Sequence, residues 1–302
     1  MFNKLVIIEP INIFDVHLEQ LNDVSKEVIL YSTLPNDDEE IISRIGDADA
    51  VLLSYTSSIN AYVLEHCKNI KYIGMCCSLY SEESANVDIK KAKELGIVVT
   101  GVRDYGDEGV AEYIIYQLVS FLQGYNGYYW DSIGHEITNL KCGVIGLGTS
   151  GTLIAKTLKF FNAEVSYYSR TRKESLEKEF GFIYKDLKTL CSKSEAIFLA
   201  LNKNVLLLQK EHFNLMKGKR ILFNTSIGPG FDVDALSEWL KDENHFFFGD
   251  TLATIGNKEL WDLPNTFTIN RSSGGNTYQA FERLGDKVLE NIYEYLGGNN
   301  NG

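Results

Sequence analysis

Residues 142–151 read Cys-Gly-Val-Ile-Gly-Leu-Gly-Thr-Ser-Gly. A short apolar run is followed by Gly146-x-Gly148-x-x-Gly151, and then by a stretch, Ser150–Phe160, with helical spacing. Strand, glycine turn and helix in that order form a phosphate cradle. Gly146 permits the tight turn, Gly148 lets the backbone approach a pyrophosphate, and Gly151 lets helix and strand pack closely. With Thr149 and Ser150, they open a helix whose free N–H groups and dipole favour anions.

Outward from this motif, apolar strand-like runs alternate with amphipathic stretches. On the N-terminal side, Leu5–Ile8, Glu27–Tyr31, Ala50–Leu53, Lys71–Met75 and Ile97–Thr100 read as strands, with helices at Asp38–Arg44, Asn60–Cys67 and Asp88–Leu95. A long helix is predicted over Gly109–Gly124. The aromatic stretch Tyr125–His135 has no clear period and reads as an inter-domain loop.

From Lys141 the grammar resumes. Strands are predicted at Cys142–Ile145, Glu164–Tyr168, Ala196–Leu201, Arg220–Asn224 and Phe246–Gly249. Helices are predicted near Leu187–Cys191, Glu211–Met216, Asp232–Leu240 and Asn276–Leu296. The tail Gly297–Gly302 is expected to be disordered. This alternation predicts an α/β fold of doubly wound parallel sheets.

The chain has 302 residues, 44% hydrophobic and 23% charged, enough for two domains with real cores. With 29 basic and 41 acidic residues its net charge is −12, the wrong sign for a nucleic-acid surface. No apolar run is long enough to span a membrane, and no leader is recognisable, so a cytoplasmic protein is expected. The five cysteines include no C-x-x-C pair, which argues against a metal site or a disulfide framework. No histidine partner accompanies Cys76 or Cys77, so reduced buried thiols are expected.

The strand after the glycine motif ends at Tyr168. An NAD site usually presents Asp or Glu near here to the ribose 2′-hydroxyl. This chain has Ser169, Arg170 and Arg172, which suit a 2′-phosphate. NADP is therefore expected over NAD, which remains the alternative.

Several further segments resemble the D-isomer-specific 2-hydroxyacid dehydrogenase family across nearly the whole chain. They are Asn86-Val87-Asp88 with AKELGIVVT after it, Val110-Ala111-Glu112, LKCGVIGLGTSG, MKGKRILFNTSIG, and Leu260-Trp261-x-x-Pro264-Asn265. The resemblance implies a flavodoxin-like substrate domain, 1–108 plus 276–302, and a Rossmann NAD(P)-binding domain, 109–275, with a cleft between them. It also implies a small-molecule substrate and a homodimer. Thr225 falls in the segment passing beside the nicotinamide, and Asp250 where the family's Asp meets the carboxamide.

The resemblance implies three working residues: an Arg that grips the substrate carboxylate, a His that carries the proton and a Glu that tunes that His. Position by position, this chain has none of them. Ile227 stands at the Arg position, Ala253 at the Glu position, and Ser272 at the His position, with Arg271 beside it. The expected activity is hydride transfer to or from a small carbonyl, imine or hydroxy compound by a non-standard set. Arg271, Tyr105 and Ser272 are the candidates, with Arg103 and Asp104 in the same loop as Tyr105. A neighbouring cation would lower the Tyr105 pKa. His135 is the one histidine retained as a remote candidate. The alternative is an inactive dinucleotide-binding sensor or regulatory protein on the same fold.

Overall fold

The computed structural model describes residues 1–125, 127, 130–203, 205–268 and 273–298. The chain divides into two compact units, Met1–Tyr105 with Thr277–Gly302, and Gly106–Asn276, against the 108/109 and 275/276 boundaries expected. Gly106 and Gly275 back onto each other, and a Cβ on either would lie 2.8 Å from the other's carbonyl oxygen. That close approach ties both glycines to the second unit.

The first unit is a five-stranded parallel sheet of order β2-β1-β3-β4-β5. Its strands are β1 (Leu5–Ile7), β2 (Val28–Leu30), β3 (Ala50–Leu53), β4 (Tyr72–Ser78) and β5 (Val98–Val102). Helices α1 (Asp15–Gln20), α2 (Asp38–Ile45), α3 (Ala61–His66) and α4 (Ile89–Glu94) connect them, and α11 (Tyr278–Gly298) returns to pack here. Successive side chains of β1 enter opposite clusters: Val6 joins one core, and Leu5 and Ile7 the other. Both faces are thus covered, as a parallel sheet requires.

The second unit has seven parallel strands in the order β12-β11-β10-β9-β6-β7-β8. They are β6 (Lys141–Ile145), β7 (Glu164–Tyr168), β8 (Ile183–Tyr184), β9 (Ala196–Leu199), β10 (Arg220–Asn224), β11 (His245–Gly249) and β12 (Thr266–Thr268). The helices are α5 (Asp107–Gln123), α6 (Thr149–Phe160), α7 (Glu174–Phe180), α8 (Leu187–Lys193), α9 (Lys210–Phe213) and α10 (Val233–Trp239). The strand order reverses between β6 and β9, which places a ligand crevice at their carboxyl ends.

Among the described residues, Asp37, Asn60, Asp88, Asp186, Asp232 and Thr277 each precede a helix with a side chain that accepts a backbone N–H of its first turn. Helix α6 has no such side chain; its N-cap is Gly148.

Several expectations are corrected. The 125–135 stretch lies within the second unit, not between the units, and among its described residues Trp130 alone joins that unit's core. Trp130 is buried, its ring lies 6.1 Å from that of Phe121 and 6.4 Å from that of Phe246, and Lys219 donates to its carbonyl. Asn126, Tyr128 and Tyr129 lie outside the described residues. Strand β4 does not stop at Met75; a bulge between Met75 and Ser78 carries it through Cys76 and Cys77. Helices α1 and α7 and strands β8 and β12 were not read from sequence. Of the tail expected to be disordered, Gly297 and Gly298 end α11, and 299–302 lie outside the described residues.

Candidate functional site

The glycine motif is built as three different positions. Gly146 follows β6 with φ +95°, and a Cβ there would meet the Ala200 carbonyl oxygen at 2.3 Å. Gly151 lies in the first turn of α6, where a Cβ would stand 1.8 Å from the Gly146 carbonyl oxygen. Gly148 has nothing within 4 Å of such an atom. Two glycines are therefore demanded by the fold, and the third leaves open space at an uncapped helix start. The first-turn N–H groups of α6 have no intrahelical acceptor. This open cradle fits a dinucleotide pyrophosphate. Thr149 is exposed, and half-buried Ser150 donates to Asp107, the first residue of α5.

The neighbouring strand ends frame this crevice. Thr225 follows β10 and is half-buried, its hydroxyl donating to the Leu199 carbonyl at 3.3 Å. Buried Asn224 fixes the turn, donating to the carbonyls of Gly228 (3.0 Å) and Thr254 (2.9 Å) while accepting Ser226 N–H (3.0 Å). Ile227, on that turn, is 63% exposed. Ala253, in the short 3-10 turn Leu252–Ile255 after β11, is also exposed.

Asp250 is buried directly after β11. Burial raises its carboxyl pKa, against hydrogen bonds from Ser273 Oγ (2.8 Å) and Gly274 N–H (2.9 Å). Oδ2 thus anchors the segment leading into α11, a structural bond beyond the carboxamide contact expected of it. Arg271 and Ser272 lie outside the described residues.

At the end of β7, Ser169 is half-buried and its hydroxyl donates to the Thr171 carbonyl. Arg170 is exposed, with no hydrogen bond or ion pair among the described residues. Arg172 is not the free cation the sequence suggested, because Glu177 of α7 takes one edge of its guanidinium.

In the first unit, Tyr105 is half-buried and burial pushes its pKa up to about 12, opposed by a hydrogen bond with Ser78. The expected lowering by a cation is absent. Its titrating neighbours are Cys77, Tyr80 and Tyr55, so it is a neutral phenol. Arg103 is engaged locally, donating to the carbonyls of Leu79 (2.7 Å) and Tyr80 (3.2 Å). Cys76 and Cys77 are buried on β4, and burial pushes the Cys76 thiol well up. His135 is on the surface near Asp131.

Sequence reasoning missed Glu9. It is fully buried just past β1, and Oε1 accepts the N–H groups of Ser54 (2.8 Å) and Ser57 (3.2 Å). Oε2 accepts the hydroxyls of Ser57 (2.7 Å) and Thr56. One carboxylate thus organises the loop after β3. The available signal was a lone Glu directly after an apolar run.

No described group of three or more His, Cys, Asp or Glu could hold a metal ion, and no described helix is long and apolar enough to cross a membrane.

Residues 117–269 match the family described as D-isomer specific 2-hydroxyacid dehydrogenase, NAD binding domain. The glyoxylate reductase of Pyrococcus furiosus is 26% identical over 285 residues, covering 86% of this chain and 83% of that protein. The fold is shared with the D-lactate dehydrogenase of Escherichia coli, at TM-score 0.77 and 24% identity over 98% of this chain and 97% of that one. It is shared also with an acyclic imino acid reductase solved with NADPH and D-arginine, at TM-score 0.82 and 23% identity over 98% and 97%.

Proposed function

Since the chain belongs to the D-isomer specific 2-hydroxyacid dehydrogenase family, we propose that it is an NADP-preferring oxidoreductase working without that family's usual acid–base set. Hydride would pass to or from a small carbonyl, imine or hydroxy compound. The relatives bear the names of reductases and dehydrogenases, which weighs against a non-catalytic sensor.

The observation that carries the cofactor reading is the composition of the turn after β7. Residues Ser169–Lys173 hold two arginines, a lysine and no carboxylate, and Arg170 is exposed without a partner among the described residues. A carboxylate there would repel a 2′-phosphate; a guanidinium attracts it. The neighbouring strand β6 leads into the open cradle at Gly148, which would hold the pyrophosphate.

When bound, the nicotinamide supplies or accepts the hydride. The protein must orient it, exclude water and manage one proton at the reacting oxygen or nitrogen. Ile227 cannot grip a carboxylate as an Arg would, which favours a substrate that does not need that grip. Among the candidates for proton management, Tyr105 keeps its proton up to about 12 and so serves as a hydrogen-bond donor. Arg271 would stabilise developing negative charge, and Ser272 would donate a hydrogen bond. A homodimer is proposed from the family resemblance.

Calorimetry with NADPH and NADH on wild type and Arg170→Ala tests the cofactor reading. A preference for NADPH that Arg170→Ala abolishes supports it. Binding of neither nucleotide overturns the oxidoreductase reading. NADPH oxidation against a panel of carbonyls and imines then identifies the substrate class.

A further inference from the structure

The pairing of Arg172 has a definite geometry. Nε donates to Glu177 Oε1 at 2.8 Å and Nη2 to Oε2 at 2.7 Å. This side-on fork uses the Nε–Nη2 edge. A guanidinium has five N–H donors in a rigid plane, so the edge formed by Nη1 and the second Nη2 hydrogen is left over. The Arg172 side chain is 56% exposed and that of Glu177 only 15%.

Glu177 is itself held. Its Oε1 also accepts the hydroxyl of Tyr167 at 2.7 Å, and the Tyr167 oxygen accepts the Lys173 N–H at 2.7 Å. Tyr167 is fully buried on β7, and the Tyr184 ring lies 5.6 Å from the Arg172 guanidinium carbon. Buried phenol, carboxylate, guanidinium and loop amide thus form one connected set. The Glu177 carboxyl is held down to about 2, first by Arg172 and then by Tyr167, so it stays ionised at any working pH.

We propose that Glu177 and Tyr167 are positioning residues for a phosphate on the adenosine ribose, holding Arg172 edge-on so that it and Arg170 take that phosphate together. This rests on the NADP reading above. A flexible surface Arg loses rotamer freedom when it binds an anion, and one already fixed by a carboxylate loses less. The negative charge of Glu177 is taken up by Arg172, leaving Arg170 and Lys173 in surplus around the turn.

The test is calorimetry on the full chain with 2′,5′-ADP and with 5′-AMP, which differ only by the 2′-phosphate. Variants are Tyr167→Phe, Glu177→Asp and Arg170→Ala. Glu177→Asp keeps the charge and shortens the reach, and Tyr167→Phe removes one hydroxyl. Both should weaken 2′,5′-ADP about tenfold and leave 5′-AMP within about twofold. Thermal melting accompanies each, because Tyr167 is buried; Glu177→Asp tests the same geometry without altering the core.

If Arg170→Ala abolishes the preference for 2′,5′-ADP while the two positioning variants keep it, the positioning role is overturned and the NADP reading stands. If both ligands weaken in parallel, the role is structural and the proposal fails. If wild type does not distinguish the two ligands, the NADP reading fails and this inference with it.

Discussion

Gly151 sits so close to Gly146 that a Cβ added to it would lie 1.8 Å from the Gly146 carbonyl oxygen. Real β-carbons do not approach backbone oxygen so closely, so Gly151→Ala must shift α6 against β6. Overpacking of this kind costs about 1–3 kcal/mol or more, and the melting temperature should drop by several degrees. Gly148→Ala is the counterpart. Nothing lies within 4 Å of its added Cβ, so it should melt like wild type. It should still bind NADPH at least about tenfold more weakly, because the methyl fills the space where a pyrophosphate would approach the backbone. Melting and calorimetry on the pair separate the fold's glycine from the ligand's glycine. Equal melting losses in both would contradict that division.

Glu9 offers a stability prediction in the other unit. Truncation by Glu9→Ala strands the buried amides of Ser54 and Ser57 and the buried Ser57 hydroxyl, while the hydroxyl of exposed Thr56 can turn to water. Leaving buried donors unsatisfied costs about 1–3 kcal/mol for each fully buried group, so a loss of about 3 kcal/mol or more is expected in urea unfolding. A loss under about 1 kcal/mol would mean that water or the loop itself replaces the carboxylate.

The uneven legibility of the chain has physical causes. Strands β7 and β10 were readable to the residue because each carries β-favouring apolar or aromatic residues, Val165 with Tyr167-Tyr168 and Ile221-Leu222-Phe223, between polar ends. The glycine motif was readable because its spacing is dictated by backbone sterics. Helix α7 was not, since Glu174–Phe180 is mostly charged and only Leu176 and Phe180 reach the core. Strand β8 spans two residues, too few for a period. The 125–135 stretch has no repeat because Trp130 is fixed by non-local partners, Phe121, Phe246 and Lys219. The Arg172–Glu177 fork joins a loop to a helix the sequence did not show, and the burial that lifts Tyr105 depends on strand register.

Asp250 predicts a pH dependence of stability. Burial raises its carboxyl in the folded chain above the ordinary 3.8, so the native state binds that proton more tightly than the unfolded state. The resulting stabilisation is present below the ordinary value and is lost as pH rises through the raised value. Asp250→Asn keeps an acceptor for Ser273 and Gly274 but has no proton to lose. The melting-temperature difference, variant minus wild type, should therefore grow in the variant's favour from about pH 3 to about pH 7. A constant difference across that range would contradict the buried, raised carboxyl.

The cysteines give a chemical readout of the folded core. All five are buried, and burial lifts Cys67 to about 11 and Cys191 to about 12, and pushes Cys76 and Cys142 well above the ordinary thiol range. Attack on a disulfide reagent needs thiolate and access. Ellman's reagent at neutral pH should find almost no reactive thiol in native protein and five per chain in guanidinium. A fast-reacting native thiol would place one of these cysteines in an open, electropositive site and reopen a nucleophilic role for it.

Ile227 bears on the reaction itself. At the C-terminal end of β10, where the family resemblance calls for a substrate-gripping Arg, the chain exposes a hydrocarbon. Because it is 63% exposed, Ile227→Arg removes little packing and should fold like wild type. Combined with Ala253→Glu and Ser272→His, it restores the three chemical roles the resemblance implies: carboxylate grip, proton carrier and the group that tunes that carrier. Single contributions of such groups are about a hundredfold or more in rate. The triple variant should therefore reduce 2-oxo acids with NADPH at least about a hundredfold faster than wild type, and on the proposed reading the wild type is expected to prefer other carbonyls or imines. Initial rates on both substrate panels decide this. Wild-type reduction of 2-oxo acids as fast as the variant's would show that Arg271, Tyr105, Ser272 or another group already supplies the ordinary chemistry, and the non-standard substrate reading would fall.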